Sequence, residues 1–599
     1  MRMLMLASVT LGLVLAACAQ SPQPVPAAPP APAFEGTLDD IIARYEAFEL
    51  AGDPARAADE AGRAPDRWGD VTPETRTRRG QQAAVLLADL ANAAGADPVD
   101  RAILEALLRY EVLGAERDLD RIPFTGDYGF HAEPVFAALR LRIESVEDAD
   151  AWISRLDDTR RYFGEHIANM RRGISTGFTS HGDPLAVTIE QVREQTIAAV
   201  TDSDLYVPIL NMSDTIPAAD RARIEADAQR AVAGAIAAYT DLLTFLETEY
   251  APQARPDPGL VSLPDGRGIY ADLVAHHTAG AGLTPPQVHE IGRNEVARIR
   301  AEMEAIIDEI GFAEGFAAFL DFLRTDQRFY ADSPADLLEK AAEISKRLDT
   351  ILPRYFGRLP RLPYGVSPVP ASIAPGFTTG RYVQGDAENQ RPGTYLVNTY
   401  RLDQRPLYEL PALSAHEAVP GHHLQIALAQ ELSEVPEYRR LYYATAFGEG
   451  WGLYAERLAG EAGIYRTPYE RFGALSYEMW RACRLVSDTG LHWYGWSREE
   501  AEACFAENSA LSPLNIQTEV TRYIGWPGQA TAYKIGELRI LALRDQARDT
   551  LGADFDIRAF HDHLLGAGSM PLSVLEDRME SWTQDQVDAI APLRPAPAP

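Results

Sequence analysis

From Thr37 onward, apolar positions recur mostly at helical spacing. Thr37 stands where a helix N-cap belongs, ahead of Ile41, Ile42, Tyr45 and Phe48 on one face. Thr284-Pro285 opens a second run, with Val288, Ile291, Ile299, Met303, Ile306 and Ile310 in register and Gly311 at its end. Ser333-Pro334 opens a third, through Leu337, Ala341, Ile344, Leu348 and Ile351. The chain has no strand–helix–strand alternation and no repeat of fixed period, so the pattern predicts a large, mainly α body. One stretch departs from the helical habit. Between 360 and 398 prolines and glycines are frequent, and Gly380-Arg381-Tyr382-Val383 and Thr394-Tyr395-Leu396-Val397-Asn398 read as extended pieces. They predict a small β hairpin or edge strand directly before the segment that carries the chemistry.

That segment is Ser414-Ala415-His416-Glu417-Ala418-Val419-Pro420-Gly421-His422-His423-Leu424-Gln425. It places three of the chain's twelve histidines beside a glutamate on an otherwise apolar stretch. Neutral imidazole is the commonest zinc ligand, and a neighbouring carboxylate can take a proton from a metal-bound water. The usual helical form is H-E-x-x-H, with both histidines on one face. Here proline stands where the second histidine would. On an unbroken helix His416 and His422 would lie roughly 120° apart around the axis, and His423 roughly 10.5 Å further along it. Pro420 removes a helical hydrogen bond and Gly421 tolerates unusual backbone, so the pair can bulge the helix and return a later histidine toward His416. The stretch reads as an expanded H-E-x-x-H with His422 the preferred second ligand and Glu417 the general base. His423 is then left to contact substrate.

Downstream, Glu449 lies 27 positions after His422 (449 minus 422), room for a loop and a second helix, with Pro436 marking the break. Two histidines and a carboxylate, with a fourth position open to water, make a catalytic zinc set. Taken together, His416-Glu417-x-x-Pro420-Gly421-His422-His423, Glu449-Gly450-Trp451, Arg522-Tyr523, Pro527-Gly528-Gln529-Ala530 and Tyr533-Lys534-Ile535-Gly536 closely resemble the bacterial domain-of-unknown-function 885 family, over nearly all of the chain after its N-terminal tail. That family looks like a remote relative of the helical zinc peptidases of the thimet oligopeptidase and angiotensin-converting enzyme type. The resemblance implies a helical zinc-peptidase-like body, a zinc ion on His416, His422 and Glu449, and late tyrosines as oxyanion donors; Tyr523 and Tyr533 are the candidates. Arg522 could bind a substrate carboxylate bidentately. The extended pieces, ending at Asn398, either hold an extended substrate by strand addition or form a structural loop. His492, four residues after Asp488, could be oriented by that carboxylate toward the site, or be a core histidine. His561, His563, His276 and His277 are read as structural.

Composition narrows the partners. A formal net charge of −31 argues against nucleic acid and against a basic membrane-binding face. Three cysteines make no disulfide framework, and Cys483 and Cys504 read as two buried thiols that could pair only if tertiary structure joins them. Met1-Arg2 followed by an apolar run to Ala17 reads as a signal peptide over 1–17, too short to span a bilayer as a mature helix. Leu15-Ala16-Ala17-Cys18 resembles a bacterial lipobox, with Cys18 the lipidated residue, and Ala19 after it points to the outer membrane facing the periplasm. Residues 18–33 form a Pro/Ala tether, 34–270 an N-terminal helical half, and 271–595 the metal-binding catalytic half. The expected function is a zinc-dependent hydrolase of peptide bonds, attached to the membrane through its lipid alone. The alternatives are an amidase acting on cell-wall peptides and a non-catalytic metal- or peptide-binding lipoprotein.

Overall fold

Thr37 caps its helix as the pattern requires. In the computed structural model its side chain accepts from the backbone of Asp40, whose carboxylate answers it, and Leu38, Ile41, Tyr45 and Phe48 turn inward over α1 (Leu38–Gly52). The structure describes residues 34–590 apart from positions 96, 127, 198, 372–373 and 387–390. The signal segment, Cys18 and the whole Pro/Ala tether lie outside the described residues. Among the described residues no helix is long and apolar enough to cross a membrane.

The architecture is mainly helical with one three-stranded sheet. Among the described residues the apolar side chains gather into two hydrophobic cores. The smaller gathers apolar residues between Trp68 and Tyr250 around the long helix α2 (Ala218–Phe245). The larger joins α1 and its neighbours to most of the buried apolar residues from Leu260 to Trp582. Helix α3 (Pro285–Ile310) starts at the Thr284 capping box, ends at left-handed Gly311 (φ 75°), and buries Val288, Ile299, Met303 and Ile307. The expected Ile306 and Ile310 sit at the margin of that face, because Ile307 lies closer to its centre.

The non-helical stretch folds into β1 (Tyr364–Pro368), β2 (Gly380–Val383) and β3 (Gly393–Val397) in the order β1-β3-β2. The predicted hairpin pieces are β2 and β3, antiparallel with Tyr382 opposite Tyr395; β1 adds a parallel strand on the far side. This leaves β2 at an edge, against the helices that carry the candidate metal group. Those are α4 (Leu410–Glu417), α5 (His422–Gln430) and α6 (Thr445–Glu461), backed by α7 (Pro468–Thr489), α8 (Pro513–Gly525) and α9 (Ala532–Leu551). Helices α6 and α9 approach so closely that a Cβ on Gly450 would lie 2.5 Å from the Cα of Gly536.

Cys483 and Cys504 are not free thiols. The short helix Arg498–Asn508 doubles back along α7, bringing their Cα atoms to 5.7 Å, and the two form a disulfide. Their 21-residue separation carries no sign of that return.

Candidate metal centre

Rather than bulging, the helix that begins at Leu410 stops. α4 ends at Glu417; Ala418 (φ −95°, ψ −114°) and Gly421 (φ −76°, ψ −131°) leave helical geometry, the Val419–Pro420 bond is cis, and α5 starts afresh at His422. Gly421 is required by the close return of the chain, since a Cβ there would lie 1.9 Å from the carbonyl oxygen of His416. The indole of Trp451 on α6 donates to the Pro420 carbonyl at 2.8 Å and holds the connection down.

The break sets His422 beside His416, with ring centroids 4.6 Å apart and planes at 89°. Glu449, from the facing side of α6, completes the group: its Oε2 is 3.4 Å from Nε2 of His416 and 3.5 Å from Nε2 of His422. All three donor atoms lie within 4.8 Å of one another. Tetrahedral ligands about 2.0–2.2 Å from one zinc stand roughly 3.3–3.5 Å apart, so these separations fit an N, N, O zinc set. Room for His416 is made by Gly452, where a Cβ would lie 2.6 Å from the ring.

Behind the three candidate ligands stands a second layer. Nδ1 of His416 is 2.7 Å from Oε1 of Glu456, which also faces Nη2 of Arg481 at 3.3 Å. Such a carboxylate fixes the tautomer and orientation of a ligand imidazole. Burial disfavours the His416 imidazolium, yet the hydrogen bonds it donates to Glu449 and Glu456 outweigh it and raise the ring to about 9. Burial would raise Glu449, but hydrogen bonds from the two imidazoles hold its carboxyl well below the usual range. A dication among these atoms would take the place of that proton. Glu417 stays out of the triad: the backbone N–H of Tyr382 on β2 donates to its Oε2 at 2.7 Å, so the edge strand orients the carboxylate.

These residues open into a cleft of about 540 Å³ between β2 on one side and α7, α8 and the start of α9 on the other. A hollow of about 620 Å³, lined among others by the stacked rings of Tyr110 and His276, lies elsewhere and is lined by none of the triad.

Residues 54–579 match the family described as bacterial protein of unknown function, DUF885. The chain belongs to the DUF885 family. Among solved structures, a candidate lipoprotein from Colwellia psychrerythraea is 25% identical, with a TM-score of 0.84 over 92% of this chain and 100% of that one. A candidate lipoprotein of unknown function from Shewanella oneidensis is 18% identical, with a TM-score of 0.69 over 91% of this chain and 98% of that one, and supports the fold alone. No curated protein matches.

In this DUF885 chain the other sequence candidates separate. Tyr533 and Arg522 line the cleft, Arg522 bonded to Gln529 and Glu519. Tyr523 does not: it is buried behind the wall, its hydroxyl donating to Glu519 and accepting from Trp480 and Arg484. An oxyanion role for it is therefore corrected to a structural one. His492 is corrected likewise. Nδ1 accepts from the Leu260 N–H, Nε2 bonds the Tyr523 carbonyl, and Asp488 turns away to Tyr270 and the Gly528 N–H. With both ring nitrogens spent on backbone, it has nothing to offer the site. Asn398, expected to touch substrate, is fully buried; its amide donates to the carbonyls of Ala374, Phe377 and Thr378, shaping the loop that enters the cleft. His423 points under the sheet, with Nδ1 3.0 Å from the Tyr382 hydroxyl and its ring against Tyr364, and burial pushes it down to about 4. It contacts neither metal ligands nor cleft.

Four contributors escaped the sequence reading. Glu456 carried a signal, seven residues after Glu449 and so on the same helical face. Arg481 and Arg484, at i,i+3 on α7, did too. Tyr443 had none: it sits in the loop before α6, lines the cleft, and burial and the charge of Glu449 beside it push its hydroxyl well above the ordinary tyrosine range.

Proposed function

We propose that this chain is a zinc-dependent hydrolase of peptide or other amide bonds. The observation that carries the reading is the convergence of His416, His422 and Glu449 at tetrahedral-edge separations, with Glu417 adjacent in sequence but held aside by Tyr382. A closed structural site would need no such neighbouring carboxylate. His416, His422 and Glu449 would hold the zinc, which would supply a water of lowered pKa and Lewis-acid polarisation of the substrate carbonyl. Glu417, with one oxygen fixed by the β2 backbone, has the other to accept the proton of the attacking water and return it to the leaving amine. The hydroxyls of Tyr443 and Tyr533, both on the cleft wall, donate to the developing oxyanion. The edge strand β2 supplies backbone against which an extended peptide can lie.

The test is Glu417→Gln, which keeps size and the Tyr382 bond but cannot take a proton. It is expected to fold, to keep its zinc, and to lose at least about 10²-fold in cleavage of a peptide that the parent cleaves. Equal cleavage by parent and variant refutes the mechanism. Absence of turnover in both, with tight peptide binding, favours the non-catalytic binding protein.

The reading extends to place. The solved relatives are described as candidate lipoproteins, Cys18 follows a lipobox-like stretch, and the Cys483–Cys504 disulfide suits an oxidising compartment. We place the protein in the cell envelope, lipid-anchored at the outer membrane and facing the periplasm. Palmitate labelling should depend on Cys18, and Cys18→Ser should free the protein from the membrane fraction; an unlabelled parent leaves only an ordinary secretory signal.

A further inference from the structure

Of the chain's eight tryptophans, all among the described residues, Trp526 alone is exposed, at 38%. Indole is among the largest apolar groups, and folding normally withdraws most of it from water. This indole instead lines the cleft that also holds His416, Glu417, His422 and Glu449.

The turn that carries it is tied on both sides. α8 ends at Gly525, and the Trp526 N–H still donates to the Arg522 carbonyl at 2.8 Å. Gly525 lies against the N-terminal half of the chain, where a Cβ would stand 1.8 Å from the carbonyl oxygen of Thr125. Beyond Pro527, Gly528 (φ 84°) fits against Leu273 and Val274 of the helix Gly266–His277, and its N–H donates to Asp488 at 3.0 Å. Arg522 reaches across the turn to Gln529 at 2.8 Å. From the same helix the His277 ring meets the indole with centroids 6.2 Å apart and planes at 81°. Burial pushes that imidazole down to about 3, so at neutral pH it puts no charge beside the indole.

An exposed ring on a loose loop would have to be ordered before it could grip anything. On a turn held this firmly the ring is placed before substrate arrives, and little freedom is lost when it is covered. A second apolar group lies on the side of the candidate ligands: Ile426, one turn beyond His422 on α5, is half-buried and lines the same cleft. Covering such groups with an apolar side chain releases the water against them.

We infer that Trp526 is a specificity-determining residue whose indole receives an aromatic or bulky aliphatic side chain of the substrate, so that the cleft selects peptides bearing such a residue near the bond cleaved. The cleavage rests on the hydrolase reading; the side-chain contact stands without it. Thr125, from the N-terminal half, and the helix Gly266–His277 are then the parts of the fold that place this contact.

The experiment uses peptides acetylated and amidated so that no terminal charge takes part. They are tetra-alanine and the same peptide with phenylalanine, leucine, aspartate or lysine at each position in turn. Each is titrated calorimetrically into the metal-stripped full chain, where no bond is cleaved. At one position the phenylalanyl or leucyl peptide is expected to bind about 10- to 100-fold tighter than tetra-alanine, the range for filling an apolar subsite. Trp526→Ala should shrink that ratio to within about twofold, below the range for such a subsite, and Trp526→Phe, which keeps an aromatic ring, should restore most of it. Should Trp526→Ala not fold, Trp526→Gln serves in its place. A general disturbance of the cleft would weaken all the peptides alike and leave the ratio as in the parent, and that result overturns the assignment. So does equal binding of all peptides by the parent, or a preference for aspartate or lysine. Cleavage assays with zinc-loaded parent keep the two readings apart. An apolar preference in binding without turnover of any peptide sinks the hydrolase and leaves the subsite; turnover with no preference in binding or rate does the reverse.

Discussion

Glu456→Gln tests whether the layer behind the ligands tunes the metal. In the parent, Oε1 of Glu456 lies 2.7 Å from Nδ1 of His416, both side chains almost wholly buried at 4% and 3% exposure. The glutamine oxygen can still accept from Nδ1–H, so the ring keeps its tautomer. What it loses is the negative charge that makes Nε2 a better donor. Removing such a partner costs about 10- to 100-fold in metal affinity, or about 1.4–2.8 kcal/mol. The charge also holds the His416 proton, against the burial that opposes it. Zinc must displace that proton, so parent affinity should fall about tenfold per pH unit below about 9. In the variant that dependence should begin at lower pH. The assay is competition with a chelating dye from pH 6 to 10, with the metal-free melting temperature as a control for the loss to Arg481 of its carboxylate. An affinity within about twofold of the parent, below the range expected of such partners, and an unchanged pH profile would refute the role given to Glu456.

The remaining predictions concern ligand choice and the disulfide. His422→Gln should lose zinc while His423→Gln keeps it and loses only stability, because His423 is spent on Tyr382 and Tyr364 under the sheet; zinc retained by His422→Gln refutes the triad. Cys504→Ser should lower stability by about 3 kcal/mol, the chain-entropy value for closing a loop of this length, seen as a lower urea midpoint than the oxidised parent; equal midpoints would mean that the bridge constrains nothing.

Much of this protein was written in local pattern. The caps at Thr37, Thr284 and Ser333 mark real helix starts, since an N-cap is a bond between residues three apart and needs nothing distant. The two extended pieces are strands β2 and β3, because alternation and flanking glycines are also local. The grouping of His416, His422 and Glu449 was legible from residue types and spacing, and Pro420-Gly421 marked an interruption of the helix, read as a bulge.

Tertiary structure decided the rest. Whether a buried polar side chain faces a cleft or a neighbouring backbone depends on what packs over it, which is why Tyr523, His492 and Asn398 belong to the frame while Tyr443 and Tyr533 belong to the cleft. Cys483 and Cys504 pair because a helix folds back, an event no spacing encodes. The helix stops rather than bulges because Trp451 and the His416 carbonyl, both brought in by folding, pin Pro420 and leave no room for a side chain at 421. A sequence lists the groups that can ligate, donate or carry charge; only packing assigns each of them a partner, and a group whose bonds are already made is no longer available for chemistry.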